Sequence, residues 1–129
     1  MEKRCFIEEM TDYLLEKDVM RRRFVGRCAY IPLQNGIRIK LYCSSTYVAA
    51  EAISRSCGRV DYVELPFSEY FEPKQCSQGA PKWSQHIENG KWYFSDTYPH
   101  VVPSQEDYKR LAHGMTEFIE LYDVQEEDV

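Results

Sequence analysis

The chain has 129 residues, of which 43% are hydrophobic, 14% aromatic and 29% charged, with a formal net charge of −5. That length is about one domain, and such a domain buries about two thirds of its unfolded surface, so it needs no metal or disulfide scaffold to fold. Ten tyrosines, six phenylalanines and two tryptophans exclude a disordered chain, six glycines and six prolines without a period exclude collagen-like and low-complexity arrays, and no apolar run approaches the ~18 residues of a membrane span.

Phe6, Met10, Tyr13 and Leu14 fall on one helical face, with Glu8, Glu9, Asp12, Glu16 and Lys17 opposite, which predicts a helix over 3–18. The basic run Arg21-Arg22-Arg23 follows. Residues 24–33 and 37–43 read as strands joined at Asn35-Gly36, a pair that tolerates positive φ. A two-residue turn there sets Ile37, Ile39, Leu41 and Cys43 on one face with Tyr30, Cys28 and Phe24, and Arg27, Ile31, Arg38, Lys40 and Tyr42 on the other. Pro32 conflicts with that register, because it lies opposite Ile39 at a ladder position that needs an N–H. A bulge, a longer loop or an outward-facing Pro32 resolves the conflict.

Residues 45–57 read as a second helix, capped by Ser44, Ser45 or Thr46 and closed by Gly58. Its narrow face is Val48, Ala49, Ala52, Ile53 and Cys57. A third strand runs from Arg59 to Phe67 and ends at Pro66, and turn formers fill 68–82. A second hairpin turns at Asn89-Gly90 and pairs Ile87 with Trp92, His86 with Tyr93 and Gln85 with Phe94. In the last helix, Ser104 and Asp107 form a capping box, and Tyr108, Leu111, Ala112, Met115, Phe118, Ile119 and Tyr122 recur at helical spacing. Gly114 weakens that helix by about 1 kcal/mol relative to Ala. The fold class is therefore α+β: one domain over 1–129 with an antiparallel sheet built from two hairpins plus one strand, and three helices packed mainly on one face. Residues 124–129 form a frayed acidic tail.

The N-terminus leads into alternating charge rather than an apolar segment, so we expect no secretory signal and a cytoplasmic protein. Cys5, Cys28, Cys43, Cys57 and Cys76 then stay reduced. None forms a C-x-x-C or C-x-x-H pair, so no metal or cofactor is expected, although scattered ligands leave a zinc site open. Charge is uneven: residues 1–62 carry 11 basic and 8 acidic side chains, residues 63–129 carry 5 and 13.

Three constellations bear on function. Asp61, Glu64, Glu69 and Glu72 interleave with Tyr62, Phe67, Tyr70 and Phe71, and Trp83 follows. Aromatic rings among carboxylates suit a basic protein partner, and from this we expect a non-enzymatic protein-binding module. By size and charge alone, it is similar to the acidic inhibitors of nucleic-acid-processing proteins that mobile elements carry, such as anti-restriction and anti-CRISPR proteins. The expected docking residues are Asp61, Glu64, Glu69, Tyr70, Phe71, Glu72 and Trp83. Alternatively, Arg21, Arg22, Arg23, Arg27, Arg38 and Lys40, with Tyr42 and Tyr30 nearby, grip phosphates and stack bases. The acidic balance of the whole chain weighs against this reading. Last, Trp83, His86, Tyr93, Asp96 and His100 gather around the second hairpin, which leaves a small enzyme or metal site around His86 and His100 as the weakest alternative. The chain carries none of the nucleophile-elbow, zincin, P-loop or dinucleotide-binding motifs.

Overall fold

The computed structural model describes residues 6–44, 47–72 and 103–123, together with the backbone of residues 85–88 and 91–94. Trp83, Asp96, His100, Cys5, Cys76, most of the 68–82 connection and the 124–129 tail lie outside the described residues.

The predicted first helix is two short ones, α1 (Phe6–Thr11) and α2 (Glu16–Arg21). The N–H groups of Tyr13 and Leu14 bond three residues back, to Met10 and Thr11, a tightening typical of a helix end. Leu15 is then extended at φ −58, ψ 147. The Thr11 hydroxyl donates to the Ile7 carbonyl at 2.8 Å and accepts from Arg22 at 2.8 Å, so it braces the break. Phe6, Met10 and Leu14 stay buried as their spacing predicts.

Five strands follow in sequence order as an antiparallel meander: β1 (Arg23–Val25), β2 (Cys28–Pro32), β3 (Ile37–Cys43), β4 (Tyr47–Ser54) and β5 (Gly58–Pro66). The predicted strand over 24–33 is thus a hairpin of its own, because Gly26 at φ 61 turns the chain between Val25 and Cys28. The Asn35-Gly36 turn also differs. Both residues have positive φ, 64 and 73, but the Leu33 N–H donates to the Ile37 carbonyl at 2.8 Å and closes a three-residue loop. The register slips by one, to Ile31 with Ile39 and Pro32 with Arg38. A slip of one exchanges faces: Ala29 and Ile31 turn inward with Ile39, Leu41 and Cys43, while Tyr30 joins Arg38 and Lys40 on the other side. The longer loop removes the Pro32 conflict. Its N-side now points beyond the end of β1, whose pairing stops at Tyr30.

The predicted helix over 45–57 is the strand β4, paired on both sides with β3 and β5. Alanine is the strongest helix former, but helix propensity is a small preference, and pairing along both edges overrides it. Val48, Ala50 and Ala52 point inward and are fully buried. Gly58 has the positive φ expected of it, 75, but in the β4–β5 turn. β5 ends at Pro66, as predicted, and α3 (Phe67–Tyr70) follows. A bulge between Ala52 and Ile53 leaves Val60 unpaired against β4.

The second hairpin, β6 (Gln85–Glu88) and β7 (Lys91–Phe94), has the predicted register, with Ile87 opposite Trp92 and His86 opposite Tyr93, but it forms a separate two-stranded sheet.

The last helix, α4 (Gln105–Tyr122), carries the predicted capping box. Ser104 Oγ accepts from the Asp107 N–H at 3.2 Å, and Asp107 Oδ2 accepts from the Ser104 N–H at 2.9 Å. Asp107 is fully buried, and its Oδ1 also accepts from the Glu72 N–H at 3.0 Å and from Arg110. The α2 helix repeats the device: Asp18, fully buried at the same third helical position, accepts from Arg21 three residues on. Asp18 Oδ2 has no hydrogen-bond partner among the described residues. Gly114 of α4 packs against Leu65 and Tyr70; a Cβ there would lie 2.7 Å from Leu65 Cδ2 and 2.9 Å from Tyr70 Cε1. All described helices pack on one face of the five-stranded sheet. Their core joins Phe6, Phe67 and Phe71 to Leu41, Leu111, Met115 and Ile119.

Candidate functional site

Among the described residues, no element packs on the outer face of the sheet. Strand alternation fixes what that face carries. One row crosses all five strands: Arg23, Tyr30, Lys40, Glu51 and Tyr62. A second row holds Tyr42, Ala49 and Glu64, and a third Pro32, Arg38, Ile53 and Arg59. Three cations lie over three tyrosine rings: Arg38 5.3 Å from the Tyr30 centroid, Lys40 5.2 Å from Tyr42 and Arg59 5.1 Å from Tyr62. Arg23, Arg38, Lys40 and Arg59 form no ion pair with a described carboxylate.

The phenols are knitted together. Tyr62 donates to Glu64 at 2.7 Å. Burial pushes the Tyr42 hydroxyl up to about 12, helped by its hydrogen bond to Glu51. Burial, then the bonds to Glu64 and Tyr47, raises Tyr62 as well. At neutral pH the Tyr42 and Tyr62 hydroxyls therefore stay protonated. Ala49 is fully buried beneath this cluster although it points away from the core. Its small side chain lets the flanking tyrosines close over it. Chemically, the face offers positive charge and flat rings, with the Tyr42 and Tyr62 hydroxyls already engaged with Glu51 and Glu64.

The sequence-predicted basic cluster divides. Arg23, Arg38, Lys40 and Tyr42 come together on this face, with Arg27 exposed in the β1–β2 turn. Arg21 instead binds Asp18, Asp123 (3.2 Å) and the Pro32 carbonyl (3.3 Å), which ties α2 to the end of α4 and to β2. Arg22 binds Asp12 at 2.7 Å and Thr11, and covers the Phe24 ring.

The acidic-aromatic segment also divides. Phe71 is 2% exposed and stacks on Phe67 at 5.0 Å in the core. Tyr70 packs half-buried against the same core. Asp61 turns toward α4 and accepts from Tyr122 and from the Tyr62 N–H at 2.8 Å; these bonds hold its carboxyl below the usual carboxylate range. Glu64 lies on the outer face, whereas Glu69 and Glu72 are exposed around α3, with Glu72 3.7 Å from Arg110. Trp83 lies outside the described residues. The segment is thus spread over the outer face, the core and the helix side.

Arg59, Tyr62 and Tyr47 belong to the site but not to the basic cluster read from the sequence. With 45–57 taken as a helix, Tyr47 and Glu51 had no sheet face to share. The strand alternation of Tyr47, Ala49, Glu51 and Ile53 is the signal that finds them. Among the described residues no group of three or more His, Cys, Asp and Glu could hold a metal ion, and no helix is long and apolar enough to cross a membrane. Cys28 and Cys57 are free thiols, and Cys43 is buried. His86 pairs with Tyr93 in the β6–β7 ladder, and its proposed partner His100 lies outside the described residues. No known family, curated protein or solved structure matches the chain.

Proposed function

We propose that the protein is a binding module that takes single-stranded nucleic acid on the outer face of its five-stranded sheet. The observation that carries this reading is the set of three cation-on-ring pairs, Arg38 on Tyr30, Lys40 on Tyr42 and Arg59 on Tyr62, none of whose cations is neutralised by a described carboxylate. A sheet face with aromatic side chains stacks unpaired bases without regard to sequence, and arginines beside the rings hold phosphates and extend the stacking surface. The net charge of −5 does not oppose this, because the excess acid belongs to residues 63–129 and most of the face comes from residues 23–62.

Fluorescence anisotropy with labelled single-stranded and duplex oligonucleotides at low salt tests the reading. The single strand binds more tightly than the duplex. If three phosphates are neutralised, affinity falls with salt at a logarithmic slope of about −2. Replacing Arg38, Lys40 and Arg59 by Ala removes the binding. No binding at micromolar protein, or binding indifferent to those replacements, overturns it.

A second reading keeps a basic protein partner, such as a nucleic-acid-processing enzyme that the chain would inhibit. It is favoured by the exposure of Glu64, Glu69 and Glu72 within nine residues of chain. Capture of a partner that survives charge reversal of all three removes it.

A further inference from the structure

Where the β2–β3 and β4–β5 loops meet, the end of the sheet holds a groove of about 460 Å³, within the size range of small-molecule sites. Its walls mix apolar side chains, Pro32, Leu33, Ile37 and Ile53, with Arg38 and Arg55. The two loops are tied together, since the Arg55 N–H donates to the Gly36 carbonyl at 3.1 Å. Positive φ at Asn35, Gly36 and Gly58 sets the turns that frame it, so the groove is formed before any ligand arrives. Arg55 is exposed, and neither arginine has an ion pair with a described carboxylate. Arg38 belongs both to the groove and, through its contact with Tyr30, to the tyrosine platform.

We propose that this groove holds the terminal phosphate monoester of a strand lying on the platform, so that the protein binds phosphorylated strand ends in preference to strand interiors. This rests on the single-strand reading above. A terminal monoester carries close to two negative charges and three free oxygens, whereas an internal diester carries one charge. Two guanidinium groups without carboxylate partners match the monoester, each through a bidentate pair. The apolar walls suit the last sugar and the edge of its base. Either end of a strand offers the same chemistry, so the experiment separates them.

Anisotropy is measured for one oligonucleotide sequence made with a 5′-phosphate, with a 3′-phosphate, or with hydroxyls at both ends, against the full chain and the Arg55→Gln variant. Arg55 lies in an exposed loop outside the platform, so the variant keeps the fold. One phosphorylated form binds about tenfold more tightly than the hydroxyl form. In Arg55→Gln that preference disappears while the hydroxyl form binds as before. Equal binding of all three forms overturns the inference and leaves the platform reading standing. A preference that persists in Arg55→Gln overturns the assignment to this groove. Failure of every form to bind overturns both.

Discussion

The two faces of the five-stranded sheet use charge in opposite ways. On the helix side, the fully buried carboxylates Asp18 and Asp107 each take an arginine three residues further along the same helix, Arg21 and Arg110. Each stands at the third residue of its helix, where a negative charge also meets the positive end of the helix dipole. On the outer face, Arg38, Lys40 and Arg59 meet rings instead. The comparison teaches that basic residues are not equivalent evidence of function. An arginine bound to a buried carboxylate holds the fold, whereas one resting on a half-buried ring of the outer face has no ion pair with a described carboxylate.

Breaking the buried pairs has the largest effect on stability. Asp107→Ala removes the half of the capping box that accepts from the Ser104 N–H, the bond to the Glu72 N–H and the buried partner of Arg110 together, and lowers the unfolding free energy by about 3 kcal/mol in chemical denaturation. Asp18→Ala costs less, about 2 kcal/mol, because Arg21 keeps Asp123 and because Asp18 Oδ2 makes no bond to a described residue. Gly114→Ala comes next. It improves helix propensity by about 1 kcal/mol, but the new methyl meets Leu65 and Tyr70 at under 3 Å. Overpacking then gives a net loss on the order of 1 kcal/mol, read as a lower melting temperature.

The two faces also separate by pH. Tyr42 titrates at about 12 in the folded chain against 10.0 ordinarily. The folded state thus holds that proton more tightly. The resulting stability is complete below pH 10, and is lost as pH rises through the folded value. Phenolate absorbance of the wild type and of Tyr42→Phe isolates this titration. Asp123 works in reverse: burial opposes its ionisation, but the hydrogen bonds from Lys17 and Arg21 outweigh that and hold its carboxyl below 3.8. Its contribution is present above that pH and fades as acid is added. In acid denaturation, Asp123→Asn flattens the loss of stability below pH 4. The smallest effect on stability belongs to the outer face. Arg38→Ala or Arg59→Ala costs under about 1 kcal/mol, while its effect on oligonucleotide binding is large. A stability loss there equal to that of Asp107→Ala erases the distinction between the faces.

The sequence made the long helix, its Ser104–Asp107 cap and the Asn89-Gly90 hairpin legible, because each depends on residues close in the chain. It misled where a distant partner decides. Tyr47–Ser54 is a strand because β3 and β5 hold both its edges, and its run of alanines carries no sign of that. The Asn35-Gly36 turn was visible, but not its three-residue loop, and that single slip exchanged the positions of Tyr30 and Ile31. Pro32, which has no N–H to give, was the local clue to the true register. The basic cluster could be read as residue types. That Arg21 and Arg22 belong to carboxylates and Arg38 to a ring depends on where α2 folds back, which the apolar spacing of 3–18 does not record.

The most direct test of the central claim is to titrate isotope-labelled protein with a short single-stranded oligonucleotide and follow its backbone amides by NMR. The account predicts shifts concentrated at Arg23, Tyr30, Lys40, Glu51 and Tyr62, the row that crosses all five strands, with α4 unmoved. Shifts confined to residues 67–72 and 105–122, with that row silent, would contradict it.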